Sequence, residues 1–328
     1  MAMIKDEWIK KGCIDEPAPE GTDLKAEIRR MCREKDAVIM AHYYTVGDVQ
    51  DVADFIGDSL ALARRAAATE AGTIVMCGVH FMAETCKLLC PGKTVLCPDL
   101  NAGCSLADSC PAEELRRFRL EHPGHKVVSY VNTTAAVKAL TDVVVTSGNA
   151  ERIVAALPAD DKLIFGPDRN LGAYVSAATG REMLLWHGGC HVHERFTAAA
   201  VRRMREARPD AVVMAHLECG ADVLALADVK GSTAVMLDYA AAHPDKAYIV
   251  VTEAGILHEM RRRCPDTEFL PVPPGDGTGG GRNECEYMKL NTLTKLYNTL
   301  KYGWPEVSVP AGIAREAVKP IEKMLSLS

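Results

Sequence analysis

Three stretches of this 328-residue chain repeat one another, and the repetition limits the folds open to it. The first reads VIMAHYY, TIVMCGVHFMAETCKLL and TVLCPDLNAGCS. The second reads KVVSYVNTTAAVKAL, VVVTSGNAERIVAAL and LIFGPDRNLGAY. The third reads VVMAHLECGADVLAL, LADVKGSTAVMLDYA and YIVVTEAGILHEM. Short runs of Val, Ile and Ala alternate with amphipathic stretches of helical length. That alternation predicts parallel strands covered by helices. Nine strands are expected, in three groups of three: Ala37–Ala41, Thr73–Cys77 and Thr94–Cys97; Lys126–Tyr130, Val143–Thr146 and Leu163–Phe165; Ala211–Ala215, Val223–Ala227 and Ala247–Val251. Spacings agree as well: Ser147 to Asp168 and Ser232 to Glu253 are both 21 residues. A repeated period means one supersecondary unit copied along the chain.

The expected fold class is therefore α/β, with three similar layers around a pseudo-threefold axis. Each layer is a small parallel sheet flanked by helices and joined by right-handed crossovers. The layers are expected at 1–105, 106–190 and 191–285, with helices in 286–328 joining the first. Stretches Leu290–Leu300 and Ile313–Leu325 are expected to pack back onto that first layer. Open parallel sheets bind ligands at the carboxyl ends of their strands. There the chain places His42-Tyr43-Tyr44, Tyr130-Val131-Asn132 and His216-Leu217-Glu218. Three such ends turned inward enclose one central site.

The net charge of −6 argues against nucleic acid or an anionic membrane as main partner. The chain has no apolar run of about 18 residues, and its start, MAMIKDEWIKKG, has no apolar signal core. A cytoplasmic protein is expected. Two glycine-containing motifs carry no nucleotide-binding reading. Gly92-Lys93-Thr94 lacks the first glycine of a P-loop, where Lys87 stands, and Gly275–Gly281 follows PVPP instead of a strand. The second is expected to be a surface loop.

The chain has 12 cysteines, too many for any single common site, so most must be core fillers. Cys86 and Cys90 share a helical face, and Cys97 sits in an apolar strand. Three others stand apart. Cys104 lies in the small-residue turn NAGCSLAD ahead of a helix, where thiolate is favoured. Cys190 lies in WHGGCHVHERF, with two glycines before it that permit close backbone approach. Cys285 lies where GGGRNECEYMKL passes from loop to helix. The three fall near the ends of the three repeats, so the symmetry brings them together. Three thiolates suit an iron–sulfur cluster with one iron free of protein ligand, or a tetrahedral zinc with one open position. Cys264 rivals Cys285, and Cys110 rivals Cys104. A zinc-dependent hydrolase or lyase built on Cys190, His193 and His216 is the alternative function.

A series of motifs in order resembles the quinolinate synthase family: AHYY with VQDVADFIGDSL, GVHFMAET, PDLNAGCSLAD, SYVNTTAAVKA, TSGNA, PDRNLG, GGCHVHERF, HLECGADV, GSTAVM, TEAGILHEM and CEYMKLNTL. The resemblance runs from about Val38 to about Leu300. It implies condensation of iminoaspartate with dihydroxyacetone phosphate to quinolinate, with loss of phosphate and two waters, in NAD biosynthesis. It implies one [4Fe–4S] cluster per chain on three cysteines, here Cys104, Cys190 and Cys285, whose open iron acts as a Lewis acid. It also implies functional coupling to an aspartate oxidase or dehydrogenase that produces iminoaspartate. Two departures stand out. TSGNA has Gly148 where a second small polar residue is expected, and the C-terminal region has Cys285 without the clustered cysteines of some members.

Both implied substrates are anions. Ser59, Ser147 and the Ser232-Thr233 pair sit where helices should begin, at equivalent places in the repeats. A single such residue is usually an N-cap, but three equivalents point to carboxylate and phosphate binding. The resemblance further assigns acid–base work to Tyr44 and Glu218, with Tyr130 and His193 completing the catalytic set. His42, His193 and His216 would bind and polarise substrate, while Tyr130 and Asn132 would orient it. His191 is expected to be an ordinary satisfied histidine, and Tyr43 to point away from the site. Lys230 and Arg169 are as readily solvated surface charges as site residues.

Overall fold

A computed structural model describes residues 4–276 and 281–328. Among these described residues, twelve strands form three four-stranded sheets. They are β1 (Ala37–His42), β2 (Phe55–Gly57), β3 (Thr73–Cys77) and β4 (Thr94–Leu96) in the first sheet; β5 (His125–Tyr130), β6 (Val143–Val145), β7 (Lys162–Phe165) and β8 (Met183–Leu185) in the second; and β9 (Val212–His216), β10 (Val229–Gly231), β11 (Tyr248–Val251) and β12 (Phe269–Pro271) in the third. The orders are β2-β1-β3-β4, β6-β5-β7-β8 and β10-β9-β11-β12, with every pair parallel. The layers are thus one unit built three times. The central strand Tyr248–Val251 is the unbroken apolar run that burial on both faces demands and is wholly buried; the edge strand Val143–Val145 is wholly buried too, under helix Ala311–Ser326.

The strand count differs from the nine expected, for local reasons. Phe55–Gly57, Met183–Leu185 and Phe269–Pro271 are three-residue edge strands, too short to show a period. Pro271 is tolerated because an edge strand needs no donor on its outer side. Val223–Ala227 is not a strand. Residues Ala221–Leu224 form a short helix, and the strand lies further on, at Val229–Gly231. The run VLALA is rich in Leu and Ala, which favour helix, and an apolar run this short carries no decisive period.

Of the C-terminal helices, Leu293–Tyr302 packs on the first layer, against helices Leu24–Glu34 and Gly47–Val52. Helix Ala311–Ser326 lies instead across two layers. It packs on helix His80–Leu89 of the first, and on Ala135–Lys138 and β6 of the second. Its Ala317, Ile321 and Met324 are fully buried in the largest apolar cluster, which spans both layers. Ile321→Ala should therefore lower unfolding free energy by about 2–5 kcal/mol in a denaturant titration. No helix among the described residues is long and apolar enough to cross a membrane. The glycine-rich stretch after Pro274 lies partly outside the described residues, at 277–280.

Candidate active site

The carboxyl ends of all three sheets face one cavity of about 670 Å³. The first strand of each layer delivers two side chains, its last residue and the one two places on: His42 and Tyr44 from β1, Tyr130 and Asn132 from β5, and His216 and Glu218 from β9. The second strands deliver Ser59, Ser147 and Thr233. The loops after the fourth strands deliver Cys104, Cys190 and Cys285, and His193 follows Cys190 in a short 3-10 turn. The cavity thus gathers every residue expected at the site except Ser232.

Ser232 keeps the ordinary role: its hydroxyl accepts the Val235 N–H and caps helix Thr233–Ala242. Ser59 does not cap, because Asp58 already accepts the Ala61 N–H at 2.9 Å and caps helix Ser59–Ala68. Ser147 lies before the cap residue Asn149. The hydroxyls of Ser59, Ser147 and Thr233 are therefore free of capping duty.

A hydrogen-bonded line crosses the site. Tyr44 Oη lies 2.7 Å from Thr252 Oγ1, which lies 2.9 Å from His193 Nε2. His193 Nδ1 lies 2.9 Å from Glu218 Oε2, and Tyr130 O–H donates to Glu218 Oε1 at 2.6 Å. His216 stacks on His193 with ring centroids 4.7 Å apart. Burial alone would raise the pKa of Glu218, but His193, His216 and the Tyr130 hydroxyl together hold it well below the usual carboxylate range. Burial pushes both tyrosine hydroxyls well above their ordinary value, so each keeps its proton at neutral pH.

Burial also governs the histidines. It lowers His42 to about 3, with help from His216, and lowers His216 to about 4 against the pull of Glu218. Both are neutral at pH 7. An unfolded chain takes up these protons below about 6.5, whereas the folded one resists until about 4 and 3. The metal-free chain should therefore lose stability as pH falls from 6.5 towards 3. Melting temperature measured between pH 7.5 and 4 checks this, and His216→Gln should flatten the slope.

The cysteines separate cleanly. Cys110 and Cys264 are buried in apolar clusters and do not line the cavity. Cys104, Cys190 and Cys285 are partly exposed and do. Burial pushes the thiols of Cys104 and Cys285 up to about 12 and 11. The glycines before Cys190 allow close approach: a Cβ on Gly188 would collide with Ser109 and Pro167, and one on Gly189 with Glu194. Two buried carboxylates seat the cysteine loops. Asp168 Oδ2 accepts the Cys190 N–H and Glu253 Oε1 the Cys285 N–H, both at 2.9 Å. Lys289 neutralises Glu253 at 2.8 Å. His191 lies between Ser105 Oγ, at 2.5 Å, and Glu286 Oε2, at 3.0 Å, so it joins the residues that follow the other two cysteines. Tyr43 is buried in the third-layer core. Arg169 pairs with Glu194, Lys230 is exposed, and neither lines the cavity.

Comparison with known proteins shows the family. The family model of quinolinate synthetase A protein matches residues 26–326. The chain belongs to the quinolinate synthase family. A quinolinate synthase of Thermosynechococcus vestitus is 51% identical over 310 residues, 94% of this chain and 97% of that one. One of Chloroherpeton thalassium is 51% identical over 306 residues, covering 93% and 95%. One of Prochlorococcus marinus is 50% identical over 305 residues, covering 93% and 91%. Family membership makes the chain an enzyme of quinolinate synthesis, and its cavity thiols with the neighbouring His193 and Glu218 are consistent with a metal cofactor.

Sequence reasoning passed over Asp168, Glu253 and Thr252. A signal for the first two was present: they end the two equal 21-residue spacings. No signal marked Thr252, because its partners lie 59 and 208 residues away.

Proposed function

We propose that the chain condenses iminoaspartate with dihydroxyacetone phosphate to quinolinate, releasing phosphate and two waters, on the route to NAD. The observation that carries this reading is the meeting of one cysteine and two polar strand-end side chains from each layer on one cavity. Cys104, Cys190 and Cys285 would hold a [4Fe–4S] cluster.

The donor set favours a cluster over one ion. Ligand atoms around a single zinc lie about 4 Å apart, since each sits about 2.0–2.3 Å from the metal. Among the described residues, the set of three ligand atoms within 4.8 Å of one another belongs to Cys190, His193 and Glu218. The three cysteine sulfurs do not form such a compact set. The zinc alternative also loses His216, which is outside that compact set. Asp58, Glu218 and Glu253 line the cavity, and no Lys or Arg among the described residues does, so anions there depend on backbone N–H groups, hydroxyls and a Lewis-acidic iron.

When bound, the cluster's iron that lacks a protein ligand supplies a Lewis acid for the loss of hydroxide. The chain's own residues do the rest. Ser59 and Thr233, at the starts of two ten-residue helices, present hydroxyl and backbone N–H groups to phosphate and carboxylate, joined by Ser147. Asn132 Oδ1 is buried without a protein partner and faces the cavity, ready to accept from an imine or hydroxyl. Neutral His42 and His216 polarise carbonyl oxygens. Glu218, Tyr130, His193 and Tyr44 take and return the protons that imine formation, enolisation and two dehydrations require. Because iminoaspartate is unstable, an aspartate oxidase or dehydrogenase acting alongside would supply it.

The test is chemical analysis of chain purified without oxygen. About four iron and four sulfide per chain are expected, with quinolinate formed from the two substrates. Stoichiometric zinc without sulfide would overturn the cluster, and a loaded chain that makes no quinolinate would overturn the reaction.

A further inference from the structure

Lys138 is wholly buried, and none of the chemistry above uses it. Its amine sits inside the turn that follows β5, where it donates to Val131 O at 2.8 Å, to Thr133 O, and to Thr133 Oγ1 at 3.4 Å. The Thr133 hydroxyl gives its own proton to Tyr130 O at 3.0 Å, so towards Lys138 it only accepts. Three acceptors need three N–H groups, which an ammonium has and a neutral amine lacks. Burial lowers the pKa to about 7, and Glu84 and Cys104 oppose the fall. The turn around the ammonium carries Asn132, and the Phe81 ring centroid lies 5.4 Å from the charge. Asn132 and Phe81 both line the cavity.

The repeat shows that the fold unit needs no charge at this place. Lys138 stands eight places after Tyr130, the last residue of β5; Gln50 stands eight after His42, and Leu224 eight after His216. Gln50 Nε2 donates to Tyr43 O and Thr45 O, both at 2.9 Å, and these carbonyls are the equivalents of Val131 and Thr133. Thr45 O–H donates to His42 O at 2.9 Å, as Thr133 does to Tyr130. A neutral amide therefore closes the turn in the first layer, and an apolar side chain stands there in the third. Burying a cation costs free energy that an amide does not, so the charge itself calls for an explanation. The cavity in front of it is lined by Asp58, Glu218 and Glu253, with no Lys or Arg among the described residues. A fixed positive charge behind that wall acts on anions in a space of low dielectric.

We infer that Lys138 is a positioning residue of the anion site: its buried ammonium holds the Asn132 turn and supplies the cavity with positive charge from behind the wall. The inference rests on the proposed function, and the test separates the two. Wild type, Lys138→Gln and Lys138→Met are loaded with iron and sulfide without oxygen. Iron content counts the loaded chains. Affinity is measured by calorimetry for quinolinate and for picolinate, the same ring with one carboxylate fewer, alongside melting temperature and quinolinate formation. Glutamine copies the first layer's arrangement without charge. Methionine keeps the reach of lysine and removes the donors as well, and it repeats the comparison if the glutamine variant does not fold.

Lys138→Gln should bind quinolinate about tenfold more weakly than wild type does. Picolinate should lose only about threefold, because an effect of charge scales with the charge of the ligand. Lys138→Met should melt lower, since two buried carbonyls lose their donor, and should separate the two ligands in the same way. Wild-type quinolinate affinity in the neutral variants overturns the inference. So do equal losses for the two ligands, which a disturbed turn alone would give, and failure of both neutral variants to fold. A loaded wild type that neither makes nor binds quinolinate overturns the reading of the reaction instead.

Discussion

Cys190→Ser should fold, hold almost no iron and lose at least about 1000-fold in quinolinate formation. Cys190 sits on a loop that is partly exposed, so the nearly isosteric change should alter stability by no more than about 1 kcal/mol. Its backbone N–H would still donate to Asp168, and the loop would keep its seat. What is lost is the soft thiolate. A serine oxygen is a poor ligand for iron in a sulfide cluster, and two cysteines are too few to hold one. Cys264→Ser should do the opposite. That thiol is buried among apolar side chains of the third layer, so the new hydroxyl should cost about 1–3 kcal/mol of stability and leave iron content intact. Iron analysis and melting curves on the two variants give opposite patterns if the cavity, not the core, holds the metal.

Glu218→Gln should lower kcat by about 1000-fold while iron content stays at the wild-type level. The carboxylate accepts from Tyr130 at 2.6 Å and pairs with His193 at 2.9 Å, and it is 3% exposed. It is the negative end on which the whole line depends. An amide has one oxygen and two N–H donors, so it cannot accept from both partners. One of them must turn, and the proton order of the line is lost. Substrate is held chiefly by other groups, so KM should move less than kcat. Steady-state kinetics with an iron assay separates this effect from loss of metal.

How much of this was legible in the sequence varies from element to element. The long central strands were, because four to six apolar residues between turn signals leave little choice. The three-residue edge strands were not, since so short a segment has no measurable period and gains its structure from the neighbour it pairs with. Val223–Ala227 shows the same limit from the other side: an apolar run after a glycine became a helical turn once the layer's repeat placed the strand at Val229–Gly231. Among the small hydroxyl residues, local sequence could not divide capping from binding. Ser232 caps its helix, whereas Asp58 relieves Ser59 of that duty.

The sequence by itself determined the unit, its threefold repetition and the chemistry placed at each strand end. These follow from local pattern: apolar period, turn residues and the side chains just beyond each strand. Tertiary structure alone decided which cysteines share a cavity, with Cys104, Cys190 and Cys285 on its wall and Cys110 and Cys264 in the core. It alone placed Thr252 between Tyr44 and His193, and Tyr130 against Glu218, 88 residues away. The reason is physical. A strand's period is set by neighbours along the chain, but a buried polar atom must find a partner wherever the layers meet. That meeting, and the burial that shifts Glu218, His42 and His216, exists once the three layers close on one another.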